Sequence, residues 1–495
     1  MIRMTTIRTA TTRTTTRFAA AAALTLLLAG CSLGPPHQPP GAKLPPAWDT
    51  ATEGVGQWPD AAWWRGFGNA ELDGLIAEAE AGNSDLAAAL ARIQQVEAQT
   101  RAAGAALLPT VDLSGGASRS WTPHAAARSG AAGRSVSGGT SSMSSSYQGT
   151  LQVGYEVDLF GRNAATADAA RAQLDATLYD REALALTLRS EVAATFFQVL
   201  AARDRLRLAT QTLGVAEDVL RLLERQVELG AASDLELAQQ RSAVASQRAA
   251  LPALQQAERQ SLDALAVLLG RPPQGFTVRS RSLADLTLPP VTAGLPSQLL
   301  TRRPDLRRAD ASLRAAAADT VAARAARFPS LVLTARGGVQ SASLTDMLNP
   351  AGLLYNAAGS LAAPLFEGGR LEAQEDAAAA RARELEESYR SAVLIALRDT
   401  EDALSAVATG QIQQRYAQEA QEQAGEALRI VDTRFRTGTV PFLNVLDAQR
   451  TLFQSNDAVV QATLARFNAA VGLYKALGGG WDGAVVPVPP PLREK

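Results

Sequence analysis

The stretch YQGTLQVGYEVDL (residues 147–159) decides the fold. Its odd positions hold Tyr147, Gly149, Leu151, Val153, Tyr155, Val157 and Leu159, and its even positions hold Gln148, Thr150, Gln152, Gly154, Glu156 and Asp158. A period of two sustained this long is a β-strand with one apolar and one polar face. It is also long enough to cross a bilayer at a tilt. Residues 111–118 alternate more weakly, with Val111, Leu113 and Ala117 against Asp112, Ser114 and Ser118. Leu331, Leu333, Ala335 and Val339 oppose Thr334, Arg336 and Gln340, and Leu353, Tyr355, Leu361 and Leu365 form a fourth alternating set. This predicts two strand hairpins, 111–159 and 331–365. A Ser/Gly/Ala-rich loop over 119–146 would join the first pair, and a shorter loop near 341–352 the second. A soluble sheet with one face on a core would alternate in the same way, so the flanking segments must choose.

Those segments are helical. Asn83-Ser84-Asp85 starts a helix that runs to about Leu107 and stops at Pro109. No proline interrupts the chain from Gly161-Arg162 to Pro252. A helix over 163–229 would be about 100 Å long, longer than any globular core. Leu206, Leu213, Leu220 and Val227 recur every seven residues, with Ala209, Ala216 and Leu223 three further on. This is a coiled-coil seam with small residues that allow close approach. Gly230-Ala231-Ala232-Ser233 then breaks the helix, and a second one returns to about Leu269.

The whole arrangement occurs twice. Asp85-Leu86 and Pro109 match Asp305-Leu306 and Pro329 at an offset of 220. Gly161-Arg162, Gly230 and Leu269-Gly270 match Gly369-Arg370, Gly438 and Leu477-Gly478 at an offset of 208. The offset changes only across the first strand hairpin, so the helical lengths are held fixed while the strand loop varies. The first repeat is assigned to 63–294, with a long helical hairpin over 163–270. The second is assigned to 295–480, with its hairpin over 370–478. A Pro-rich tail occupies 481–495.

The N-terminus adds an address. Arg3, Arg8, Arg13 and Arg17 precede an apolar run from Phe18 that is too short to span a bilayer and ends Leu28-Ala29-Gly30-Cys31. Residues 1–30 read as a signal peptide. Small residues before Cys31, the one cysteine of the chain, resemble the lipobox of bacterial lipoproteins, which implies that Cys31 is the lipidation site, carrying N-acyl and S-diacylglycerol groups. A Pro-rich tether over 31–62 would lead away from that anchor. No other stretch reads as a transmembrane helix, so a membrane-embedded mature chain needs β-strands. Aromatics are 5% and alanine is abundant, which points to close helix packing rather than a bulky core. The net charge of −1 gives no general attraction for nucleic acid.

Four strands cannot close a barrel, and open edges in lipid leave backbone groups unpaired. Three chains sharing one barrel would satisfy both constraints. Several motifs resemble the TolC-like outer-membrane factor family, in its lipoprotein subgroup. Trp63-Trp64, Phe67, Leu72, Leu75-Ile76, Asn83, Asp85-Leu86 and Arg92 are similar to the family's opening. The run from Gly294-Leu295-Pro296-Ser297 to Arg302-Arg303-Pro304-Asp305-Leu306 resembles the start of its second repeat. Arg434 to Gly438, with Leu443 and Val445 to Arg450, resembles its second hairpin. The resemblance implies a mainly α, internally duplicated chain with membrane β-strands. It implies a homotrimer with a 12-stranded outer-membrane barrel continuous with a periplasmic helical barrel. The implied partners are outer-membrane lipid, a periplasmic adaptor (membrane fusion protein) and an inner-membrane transporter of the resistance-nodulation-division (RND) type. The implied function is the exit duct of a tripartite efflux pump.

No catalytic motif or metal set is visible, and His37 and His124 have no partner at ligand spacing. By the resemblance, the helix after each breaker lines the periplasmic aperture. Asp447 falls on a position acidic in relatives. Asn444 stands one turn earlier, where some relatives carry Asp, and Glu236 is its first-repeat counterpart. Threefold symmetry would turn each into a ring, and carboxylate rings favour cations. An ion pair of Asp447 with Arg450 is the plainer role for that carboxylate. The breaker residues Gly230, Ala231, Gly438, Thr439 and Val440 would be the tips that meet the adaptor. The competing reading is a lipid-anchored periplasmic coiled-coil scaffold or adaptor without a pore.

Overall fold

The computed structural model describes residues 41, 44–50, 58–122, 142–290, 294–347, 349, 352–481 and 483. Cys31, His37 and His124 lie outside the described residues, and so do the signal segment and most of the C-terminal tail. A 3-10 turn, Trp63–Phe67, leads into α1 (Ala70–Gly82) and α2 (Ser84–Ala105). Then come β1 (Thr110–Thr122), β2 (Ser142–Val157), α3 (Arg162–Glu228) and α4 (Asp234–Leu268). The second repeat follows with the single turn α5 (Leu299–Arg302), α6 (Pro304–Ala325), β3 (Ser330–Ser341), β4 (Leu353–Ala362), α7 (Arg370–Arg436) and α8 (Phe442–Ala476). Helices α3 and α7 both have 67 residues, and α4 and α8 both have 35.

Contacts divide the chain into two compact units. The first comprises the described parts of 96–174 and 312–385 and carries the sheet. Its strands run antiparallel in the order β1-β2-β3-β4, which leaves β1 and β4 as edges. The register puts the odd positions of all four strands on one face: Leu113 opposes Leu151, Tyr155 opposes Leu333, and Leu331 opposes Leu361. Among the described residues nothing covers this apolar face. Leu113 is 82% exposed and Tyr355 88%, and Val111, Trp121, Leu151, Leu353 and Leu361 are exposed as well. Water would penalise such a surface, whereas lipid favours it.

Three expectations need correction here. Residues 119–122 and 142–146 are strand rather than loop. Arg119 pairs with Ser145 and Ser120 with Ser144, and the two serine hydroxyls are 2.8 Å apart. Ser-rich strand ends carry no apolar alternation, so the pattern gives no sign of them. At the other end the strands stop at Val157 and Ala362, so Leu159 and Leu365 fall beyond the sheet. Finally, α3 is long and apolar enough, by composition, to cross a bilayer, although 56% of its most apolar window is buried inside the protein.

That burial takes place in the second unit, made of the described parts of 39–95, 175–311 and 386–483. The few aromatics are concentrated here into the bulky core that composition argued against. Phe67, Phe196 and Phe197 are fully buried. Trp63 stacks on Tyr474 at 4.9 Å between ring centroids, and Phe67 meets the Phe197 ring edge-on at 4.9 Å. A chain average of 5% conceals this, because eight of the 25 aromatics gather in this one cluster. Part of the expected tether is docked on a neighbouring core rather than extended: Leu44, Trp48 and Trp58 pack against a cluster with Leu299, Tyr389 and Leu404. Trp48 Nε1 donates to the Gly294 carbonyl at 2.7 Å.

Each repeat closes through an equivalent joint. In the first, the Asn83 amide oxygen accepts from the Asp85 and Leu86 backbone N–H groups, while its Nδ2 donates to the Leu268 carbonyl at the end of α4. In the second, Arg303 occupies that place. Its Nη1 donates to the Ala476 carbonyl at the end of α8 (3.1 Å), and its Nε and Nη2 clasp Asp305 at 3.0 and 2.7 Å. Cationic donors at a helix C-terminus are favoured by its unpaired carbonyls. The Arg-Arg-Pro-Asp signature is therefore a structural clamp. Burial opposes ionisation of Asp305, but the Arg303 guanidinium and the Leu306 N–H outweigh it and hold the carboxyl below its usual range.

Candidate functional site

The predicted tips are built twice from the same backbone chemistry. Gly230 has φ +71° and Gly438 has φ +72°. In the first tip, Gly230 N–H donates to Val227 and Ala231 N–H to Gln226. In the second, Gly438 N–H donates to Phe435 and Thr439 N–H to Arg434. Both are Schellman caps, which satisfy the last helical carbonyls by passing one residue through the left-handed region that glycine tolerates. Gly230, Ala231, Gly438 and Thr439 are exposed, and Val440 is half-buried. These five residues end the two hairpins, and four of them are open to solvent.

The helices that restart beyond the tips differ. Ser233 caps α4 in a complete capping box: Glu236 N–H donates to Ser233 Oγ (3.3 Å), and Glu236 Oε2 accepts from the Ser233 N–H (2.8 Å). In the second repeat, Pro441 stands at the cap without a side-chain bond, and Asn444 takes the place of Glu236. The carboxylate of Glu236 is thus occupied in closing the start of its own helix. Asn444 and Asp447 remain exposed on α8, one turn apart. Asp447 pairs with Arg450 at 2.5 Å, with both side chains more than half exposed. Such a pair contributes about 0.3–0.5 kcal/mol, too little to hold the carboxylate away from a passing solute.

Sequence patterning missed what braces these tips. Leu223, Leu237, Phe442 and Val445 are buried together, with Phe435 and Leu446 packed against them. The Phe435 and Phe442 rings lie 5.3 Å apart. The cluster draws on α3, α4, α7 and α8, so it joins both hairpins just inside their tips. Higher up, Arg205 of α3 grips Asp457 of α8 through two hydrogen bonds, at 2.5 and 3.3 Å. Phe442, immediately after a proline and flanked by Leu443, was the available signal, but two apolar neighbours at a helix start set no periodicity.

With this geometry in view, known proteins give a consistent match. The Outer membrane efflux protein family matches residues 75–271 and 295–479, one block in each repeat. The chain belongs to this family. The pyoverdine export outer membrane protein OpmQ of Pseudomonas aeruginosa is 43% identical over 460 residues, covering 92% of this chain and 95% of OpmQ. The cation efflux system protein CusC of Escherichia coli is 32% identical over 468 residues, covering 92% and 97%. A crystal structure of CusC, described in terms of transmembrane channel formation, matches with a TM-score of 0.79 at 29% identity, over 91% of this chain and all of that one. The exposed apolar sheet face is accordingly a membrane surface. The protein is an outer-membrane efflux channel of the Gram-negative envelope, with a large periplasmic part. The scaffold without a pore is set aside.

Proposed function

We propose that three copies of this chain close one twelve-stranded barrel and one helical tube. The duct so formed takes solutes from a periplasmic adaptor and an inner-membrane transporter to the outside. The observation that carries this reading is the sheet. It has two open edges, β1 and β4, and an uncovered apolar face. Lipid tolerates such a face only when every edge is paired, and four strands per chain pair fully when the chains form a ring. The equal lengths of α3 and α7, and of α4 and α8, fit the same requirement, because two hairpins per chain must end at one level of a common wall.

In this reading the entrance lies at the tips. Asp447 and Asn444 form its charged and polar rings, while Glu236 serves as a cap. Gly230, Ala231, Gly438, Thr439 and Val440 meet the adaptor's helical hairpins. Cys31 carries the lipid that anchors the N-terminus. Opening is a shift of packed helices between two arrangements, biased by the partner. Single-channel recording of Asp447→Ala in planar bilayers tests the entrance. The account expects a weaker cation preference and altered conductance, with the thermal midpoint unmoved. Identical currents would place Asp447 elsewhere.

A further inference from the structure

The polar face of the sheet carries one rung that its neighbours do not resemble. The register aligns Asp112 with Gln152, Gln152 with Arg336, and Arg336 with Asn356. One polar side chain from each of the four strands therefore lies in a single row across the sheet. The adjacent rows are uncharged, and all but one of their residues are small or hydroxylic: Thr110, Gly154, Thr334 and Ala358 on one side, and Ser114, Thr150, Gly338 and the apolar Leu354 on the other. Among the described strand residues, the polar face bears three charged side chains, Asp112, Glu156 and Arg336. Glu156 is neutralised by Arg162 at 2.8 Å. Asp112 and Arg336 are both exposed, and neither forms an ion pair among the described residues. Arg336 is not loose, however. Its Nε donates to Gln152 Oε1 at 2.7 Å, which fixes the guanidinium and leaves its outer nitrogens to present a fork.

We propose that this rung is a solute-contacting belt inside the barrel, in which Arg336 receives carboxylate or other oxyanion groups and Asp112 receives cationic ones. The proposal rests on the reading of the sheet as part of a closed barrel, with its apolar face in lipid and its polar face in the lumen. Arg336 and Asp112 stand two strands apart, about 10 Å, with a neutral amide between them. That spacing keeps the two charges from cancelling at contact range. It suits an amphoteric solute that carries an acid and a base a few bonds apart. A guanidinium is the side chain best matched to a bidentate oxyanion. On a face whose other described side chains are chiefly small, hydroxyl or amide, with Glu156 already paired to Arg162, the belt is where charge is sorted.

The test places a thiol one residue pair away from each charge. Thr334→Cys reports on Arg336, and Ser114→Cys reports on Asp112. Each is reacted, in intact outer membranes, with a negatively charged sulfonate and a positively charged quaternary-ammonium methanethiosulfonate. The parent chain, whose sole cysteine is Cys31, sets the background. At Thr334→Cys the anionic reagent should be favoured. Arg336→Gln should lower the anionic-to-cationic rate ratio on the order of threefold, as expected for one charge about 7 Å away in screened water. Arg336→Glu should lower it roughly tenfold, and Arg336→Lys should preserve it. At Ser114→Cys the preference should be reversed and should depend on Asp112. Both thiols reacting, with ratios indifferent to Arg336 and Asp112, would overturn the belt while leaving the barrel standing. Thiols that react only after denaturation would overturn the lumen assignment and the belt with it.

Discussion

Phe442→Ala should loosen the tips and leave the rest of the channel intact. Phe442 is 1% exposed, and its ring packs on Phe435, Leu223, Leu237 and Val445. Truncating a buried phenylalanine costs about 3–5 kcal/mol, through lost transfer energy and the cavity left behind. The tip cluster shares no residue with the core around Trp63, Phe197 and Tyr474, so the cost should be borne locally. A local opening made easier by 3 kcal/mol is about a hundredfold more populated. Hydrogen exchange followed by mass spectrometry on the detergent-solubilised assembly reads this directly. Peptides covering 219–237 and 428–446 should exchange about a hundredfold faster, while peptides covering 188–201 keep their protection. On the proposed entrance at the tips, the same variant should also pass more current. Uniform acceleration along the chain would show that the tips are not a separate structural unit. Unchanged exchange at the tips would show that the cluster does not hold them.

Three further outcomes are expected. At the joints, Arg303→Ala should cost about 3–5 kcal/mol, because it leaves buried acceptors and Asp305 without their partner, and Asn83→Ala only about 1–2 kcal/mol as a lost cap; thermal unfolding of the two variants compares them. Acid should weaken the second joint. The lowered pKa of Asp305 means its contribution is complete above the ordinary aspartate range and is lost as pH falls through the lowered value. Asp305→Asn should therefore flatten the acid limb of stability against pH, and an unchanged limb would count against the clamp. At the N-terminus, Cys31→Ser should abolish incorporation of labelled fatty acid while the barrel still inserts, as read by heat-modifiable migration.

The parts of the fold that the sequence discloses are those governed by periodicity. Tyr147 to Val157 alternate because each residue meets either lipid or the opposite, polar face. Leu213, Ala216 and Leu223 recur because a helix seam must be buried. Length was legible for the same reason, since glycines at matched offsets mark helix ends that need a left-handed residue. What stayed hidden depends on neighbours remote in sequence. Ser142 to Ser146 extend a strand through backbone pairing that small hydroxyl side chains do not signal. Phe67 and Phe467 meet across 400 positions. Glu236 matches Asn444 by offset, yet Ser233 three residues before it makes it a cap, while Pro441 offers the Asn444 side chain no such partner. The family resemblance named the aperture candidates and the repeat paired Glu236 with Asn444, and the local chemistry of each helix start distinguishes the two.

The central claim is that this chain encloses a pore. Purified wild-type protein reconstituted in a planar bilayer should give discrete current steps of uniform size, with mild cation preference from the Asp447 level. A reconstituted protein that inserts, keeps its heat-sensitive assembled form and yet carries no current, even when the tips are loosened by Phe442→Ala, would contradict the account.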